Sequence, residues 1–340
     1  MDTRLMEKTA RAMVAPGKGL LAADESAGTA KKRFDSIGVE CTEANRRAYR
    51  EMLFTTPKLS EHVSGVILFD ETLRQSTRDG VNFAKFLEAN GIIPGIKVDG
   101  GAHDMALHPG EKVTEGLDKL AERMKEYFAM GARFAKWRAV ITIGDGIPTQ
   151  ACLDANAHAL ARYSAICQEA SIVPIVEPEV LLDGVHSAEA SERVHLRTLE
   201  TLFHELATQD VLLEHVILKA SMCVSGKDNP SRAGVKEVAE RTLRVLKRTV
   251  PAALPGVVFL SGGQGDQDAT AHLDAMNRMG GAPWPLTFSY SRALQHVALD
   301  AWRGQAANVS AAQKAFAHRA RMNSLAARGQ WSADAEKQAA

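Results

Sequence analysis

Eight short apolar or β-branched runs, each bounded by Gly, Pro or a charged residue and each followed by a stretch of helical periodicity, constrain this 340-residue chain more than any other feature. They are Gly19–Asp24, Gly65–Phe69, Ile92–Val98, Phe134–Val140, Ile172–Glu177, Val216–Met222, Val257–Leu260 and Leu286–Tyr290. Between them, stretches such as Gly116–Met130, Asp154–Ala170, Glu189–Thr208, Val235–Val250 and Asp266–Met279 place apolar residues at i, i+3, i+4 and i+7. Continuous apolar strands alternating with helices predict a parallel sheet covered by helices. Eight such units predict a closed (β/α)8 TIM barrel rather than an open doubly wound sheet, and no GxGxxG follows the first run.

An extra helix is expected over Thr3–Met13, before the first strand, and another over Ser310–Arg328, beyond the eighth unit. Residues 329–340 read as a frayed, flexible tail. No linker or composition shift divides the chain, and Pro251–Gly256 reads as a turn, so residues 1–340 are expected to form one domain.

The charge balance removes several classes of partner. Lys and Arg together number 41, as do Asp and Glu, so no overall field draws the chain to nucleic acid or to an acidic membrane surface. Any anionic ligand must be held by local groups. Cys41, Cys152, Cys167 and Cys223 form no CxxC pair and no zinc spacing, and the eleven histidines show no HxH or HExxH pattern. No bound metal is therefore expected. The N-terminus MDTRLMEKTA lacks a signal-peptide core, and no run approaches the roughly 20 apolar residues that span a bilayer. A soluble, cytoplasmic protein is the expectation.

In a barrel of this kind the active site lies at the C-terminal ends of the strands. Polar residues close the apolar runs at that end: Asp24 on strand one, Lys97 on strand three, Lys136 and Arg138 on strand four, Glu177 on strand five and Lys219 on strand six, with Arg292 just after strand eight. A single charge there could be plain surface, but so many at one end argue for a site. Lys136 and Arg138 share one face of their strand, and Trp137 takes the other. Strands four and six are alternates, so Lys136 and Lys219 are expected to approach each other inside the barrel.

This pairing suggests a chemistry. A free lysine has a pKa of about 10.4, whereas only the neutral amine attacks a carbonyl, so a nucleophilic Lys219 needs burial or a neighbouring cation such as Lys136 to lower it. Glu177 and Glu179 share a face, and a carboxylate beside the lysine supplies the proton transfer that carbinolamine dehydration requires. Glu177, nearer the strand, is the acid/base choice. Asp24 reads either as a base toward a substrate hydroxyl or as a helix N-cap.

Two clusters carry phosphate signals. Ser261-Gly262-Gly263-Gln264 follows strand seven and Ser289-Tyr290-Ser291-Arg292 follows strand eight, where barrels bind phosphate through loop amides and a helix N-terminus. After strand one, Asp24 to Thr29 and then Lys31-Lys32-Arg33 read as a second phosphate site or as solvated surface.

The stretches APGKGLLAADES, NRRAYR, GVILFDETL, GIKVD, FAKWRAV, ARYSAICQ, IVPIVEPE, FLSGGQ and LTFSYSRALQ together resemble the class I, Schiff-base fructose-1,6-bisphosphate aldolases over about residues 4 to 328. The resemblance implies that Lys219 forms the Schiff base, that Glu177 is the acid/base residue, and that Asp24, Lys136 and Glu179 assist. It places Ser26, Arg33, Arg46, Lys97, Arg138, Ser261, Gly262 and Arg292 around the sugar and its phosphates; Gly263, from the glycine turn after strand seven, is expected to bind substrate with them. It further implies reversible cleavage of fructose 1,6-bisphosphate to dihydroxyacetone phosphate and glyceraldehyde 3-phosphate, sugar phosphates as the only small-molecule partners, no cofactor, and a homotetramer.

The sequence departs from the family pattern in places. Ala220-Ser221 follows the lysine where Pro-Asn is frequent, Ser291 replaces a common glycine, and Thr29 a common serine. The chain ends AEKQAA where a tyrosine is usual, its last tyrosine being Tyr290. Two rival functions follow: a Schiff-base aldolase preferring another ketose phosphate such as fructose 1-phosphate, and a non-catalytic sugar-phosphate-binding or scaffold protein. A metal-dependent aldolase lacks its histidine cluster.

Overall fold

The computed structural model describes residues 1–337. All eight apolar runs are strands: β1 Gly19–Ala23, β2 Val63–Leu68, β3 Ile93–Lys97, β4 Phe134–Ile141, β5 Val173–Val180, β6 Ile217–Ala220, β7 Gly256–Phe259 and β8 Leu286–Tyr290. They close into one barrel in sequence order, every neighbouring pair parallel, with β1 joined to β8 through Leu20 opposite Ser289. The (β/α)8 expectation stands.

Strand periodicity sorts the side chains into two cores. Inward-facing Leu20, Ala22, Ile67, Phe134, Val173, Ile175, Ile217 and Val258 fill the lower barrel. The helix Thr3–Met13 closes that end with Met6, Ala10 and Met13, and Asp2 caps it by accepting from Leu5 N–H at 2.9 Å. Outward-facing residues such as Leu21, Val66, Trp137, Val176, Leu218, Phe259 and Tyr290 join the helices in the larger core. Phe134 needs the missing side chain of Gly95, whose Cβ would lie 2.2 Å from the Phe134 ring.

Two expectations are corrected. The stretch before the fourth strand is not only helix: Gly101–Asp104 and Lys112–Glu115 form an antiparallel hairpin, and the helix begins at Leu120 rather than Gly116. Its sequences GAHD and KVTE are polar and lack the apolar alternation that announces a strand. The expected tail is also docked in its described part. Residues Ala333–Lys337 form a short helix, and Glu336 accepts from Trp331 Nε1 at 2.9 Å and from the buried Arg319 at 2.5 Å. An isolated buried guanidinium is costly, and this carboxylate offsets it. Residues 338–340 lie outside the described part.

Candidate active site

The period of two that fills the barrel floor with apolar side chains carries charges one layer higher. On β5 the inward series is Val173, Ile175, Glu177, Glu179; on β4 it is Phe134, Lys136, Arg138; on β6 it is Ile217 and Lys219; β1 leads through Leu20 and Ala22 to Asp24. Trp137 faces the helices and stacks near Tyr163, ring centroids 5.6 Å apart. Lys136, Glu177 and Lys219 are each less than 5% exposed.

Lys219, Glu177, Lys136 and Asp24 form one connected group. Lys219 Nζ lies 3.0 Å from Glu177 Oε1, Lys136 Nζ lies 3.3 Å from Glu177 Oε2, and Lys136 Nζ lies 2.7 Å from Asp24 Oδ2. Asp24 is therefore an ion-pair partner within the barrel. The N-cap reading is replaced, because Ser26 holds the cap position of the helix Ala27–Ser36. Burial alone would raise the Asp24 and Glu177 pKa values, but the lysine ammoniums, with Arg138 in the case of Glu177, outweigh it and hold both below the ordinary carboxylate range. Burial likewise opposes the Lys136 ammonium, yet Asp24, Glu177 and Asp99 outweigh it and hold its pKa above the usual lysine value. Glu177 Oε2 is buried, lies 3.3 Å from Lys136 Nζ and accepts no hydrogen bond among the described residues, which leaves it an open acceptor.

A cavity of about 530 Å³ opens over this group. Lys97, paired with Asp99 at 2.9 Å, and Arg138, paired with Glu179, line one side. Ser261, Gly262, Ser291 and Arg292 line the opposite end, and Ser26, Thr29, Lys32 and Arg33 lie beside them. Gly262 has φ +40 and Gly263 has φ +83, conformations that favour glycine, and a Cβ on Gly262 would come 2.5 Å from Leu260 Cδ1. The helix Arg292–Trp302 starts here with no side-chain cap, so its first N–H groups point to an anion site.

The expected residues do not all converge. Arg46 lies elsewhere: its guanidinium is taken by Glu71, 2.6 Å away, and by Cys41 O, 2.8 Å away. Gly263 opens toward the adjoining depression rather than the main cavity. Arg33 reaches the rim but is engaged by Glu25 and by Ser291 Oγ, 3.0 Å away. Of the basic run, Lys31 turns outward to Asp35 while Lys32 enters the cavity.

Three participants escaped sequence reasoning. Asp99 orients Lys97 and accepts from Arg138 N–H at 3.2 Å. Glu25, almost fully buried, gathers Arg33, Arg50 and Ser291. Ser289 faces the cavity with a buried hydroxyl that has no hydrogen-bond partner among the described residues. The strand parity that selected Lys97 also marks Asp99, two residues on, and it marks Ser289 as inward on β8.

Comparison with known proteins fits this constellation. The family model for fructose-bisphosphate aldolase class-I matches residues 5–340. The chain belongs to the class-I fructose-bisphosphate aldolase family. Among other class-I members, the probable fructose-bisphosphate aldolase class 1 of Xanthomonas campestris pv. campestris is 58% identical over 97% of this chain and 99% of that protein. The fructose-bisphosphate aldolase 1 of Toxoplasma gondii is 52% identical over 96% and 90%. A structure of fructose-bisphosphate aldolase from Plasmodium falciparum, in complex with TRAP and a small-molecule inhibitor, superposes with a TM-score of 0.95 at 47% identity, covering 97% of this chain and 95% of that one. Class-I membership thus accounts for a barrel whose mouth holds lysines and carboxylates in direct contact.

Proposed function

We propose that this chain is a metal-independent lyase that reversibly cleaves fructose 1,6-bisphosphate to dihydroxyacetone phosphate and glyceraldehyde 3-phosphate through a Schiff base on Lys219. The observation that carries this reading is the buried contact between Lys219 Nζ and Glu177 Oε1 at 3.0 Å, with Lys136 and Asp24 completing the group.

The chemistry follows from the geometry. Proton transfer from Lys219 Nζ to Glu177, 3.0 Å away, leaves the neutral amine, which attacks the ketose carbonyl; the nitrogen passes a proton to the carbonyl oxygen to give the carbinolamine, and Glu177 returns its proton so that the hydroxyl leaves as water. The resulting iminium accepts the electron pair when the carbon–carbon bond breaks. Asp24 or Glu177 takes the proton from the hydroxyl on the departing carbon. Lys136 holds both carboxylates in place and favours their ionised forms between proton transfers, and Glu179 holds Arg138 at the mouth. The sugar's two phosphates fall to Ser261, Gly262, Ser291 and Arg292, with Ser26 and Lys32 beside them, at one end and to Lys97 and Arg138 at the other. Gly263 supports the first of these loops, and Arg33 acts from the rim through Ser291. We read the active form as a cytoplasmic homotetramer, in keeping with the family and with cytosolic relatives such as the aldolase 4 of Arabidopsis thaliana. No helix among the described residues is long and apolar enough to cross a membrane.

Trapping decides the chemistry. Borohydride with dihydroxyacetone phosphate should leave one stable adduct on Lys219 by intact mass and peptide mapping, with activity unaffected by chelator. No adduct, with activity lost to chelator, would refute the mechanism, and no adduct with no activity would favour a binding or scaffold protein. One observation keeps fructose 1-phosphate open as the preferred sugar: Tyr49, Tyr127, Tyr163 and Tyr290 are all buried, and none lines the cavity. Comparing kcat/KM on the two sugars separates these readings.

A further inference from the structure

β5 carries a proline in its interior. Pro178 lies between Glu177 and Glu179 in a strand flanked on both sides, where proline removes a ladder hydrogen bond. Backbone N–H groups alternate sides along a strand, and Leu181 N–H reaches Ile141 O on β4 at 2.9 Å. Positions 176, 178 and 180 therefore face β6. Val176, opposite Leu218, is the last β5 residue in register with β6, and position 178 has no hydrogen to donate. The backbone ladder between these strands thus ends just where Glu177 meets Lys219.

Side chains rejoin the strands one step higher. Ser221 Oγ accepts from Val180 N–H at 3.0 Å and lies 2.9 Å from Nε2 of His195, on the helix Ala188–Thr208. His195 Nδ1 lies 2.8 Å from Ser191 O. A carbonyl can only accept, so Nδ1 carries the proton and the bare Nε2 accepts from the Ser221 hydroxyl. Burial holds the His195 pKa down at about 4, which keeps this tautomer neutral at physiological pH. Every hydrogen in the chain from Val180 to Ser191 thus has one direction.

We propose that Ser221 and His195 are positioning residues, a side-chain clamp that replaces the ladder bond lost at Pro178 and sets the approach of Lys219 to Glu177. The clamp rests on the reading of those two as the reacting pair. Its chemical requirement is a group at 221 that accepts from Val180 and donates to His195. A hydroxyl does both, and so does the amide of asparagine.

The test compares the full chain with Ser221→Ala, Ser221→Thr, Ser221→Asn and His195→Phe. The readouts are the borohydride trapping rate with dihydroxyacetone phosphate at Lys219, kcat and KM for fructose 1,6-bisphosphate, and thermal melting. Ser221→Ala is expected to slow trapping and kcat by about tenfold to a hundredfold with KM within about twofold, because a shift on the order of 1 Å in a reacting pair costs that much. Ser221→Thr or Ser221→Asn restores most of the rate, and His195→Phe, which leaves Ser221 in place, slows trapping several-fold. Trapping at the unaltered rate in Ser221→Ala would overturn the clamp, as would equal slowness in all three Ser221 variants. If Ser221→Ala does not fold, an unaltered rate in His195→Phe overturns it. Absence of any Lys219 adduct in the unaltered chain would instead overturn the reading beneath it.

Discussion

Glu177 sits between two ammonium groups, and its behaviour should expose the division of labour in the site. Replacing it by glutamine keeps shape but removes the acid/base, so Glu177→Gln is expected to lower kcat by about 10²- to 10⁴-fold with a much smaller change in KM, measured by steady-state cleavage. At this scale the sequence was informative wherever a residue's direction follows from strand parity. Asp24, Lys136, Glu177 and Lys219 were found in that way, and they do meet. Arg46 was not, because it lies on the helix Glu43–Phe54, and the carboxylate that claims it comes from Glu71, twenty-five positions away. No pattern in the sequence announces such a pair. Glu25 escaped for the same reason: its partners Arg33, Arg50, Ser291 and Gln295 arrive from three separate helices and their caps.

Elements were legible where their periodicity is strong. The eight strands and the helix Thr3–Met13 have apolar faces that must be buried, and each lies within a few residues of where the pattern puts it. The hairpin Gly101–Asp104 with Lys112–Glu115 has no such face, so nothing in its composition predicted pairing. β5 runs three residues past Glu177 despite Pro178, since β4 supports it from the other side as far as Ile141 opposite Val180. Where β4 meets β3, the Phe134 ring occupies the place a side chain at residue 95 would take. Phe134→Ala is accordingly expected to cost roughly 3–5 kcal/mol of stability, read as a shift in urea midpoint at unchanged slope. Its catalytic constants should stay near those of the unaltered enzyme, because the ring lies one layer below Lys136.

Two buried histidines tie the stability of the whole molecule to pH. Burial holds both His195 and His272 down at about 4, against an ordinary value near 6.5. The unfolded chain therefore takes up these protons first. Stability is complete above about pH 6.5 and falls as pH drops from there toward about 4, by up to roughly 3 kcal/mol for each histidine. Urea midpoints across that range should show the slope, and His272→Asn, which keeps a polar partner for Gln264, whose Oε1 lies 2.7 Å from His272 Nδ1, should flatten it. Barrel closure is the largest property of all, and it has a schedule. Leu20 on β1 pairs with Ser289 on β8, so a ribosome working at about 5–20 residues per second releases the second strand on the order of ten seconds to a minute after the first. For all that time β1 has an open edge, and Met6 and Met13 wait for partners that include Ile217 and Val258. The segment from Thr3 to Ala23 is thus among the last parts of the barrel to be sheltered, and the nascent chain depends on its surroundings to keep that edge from finding another chain.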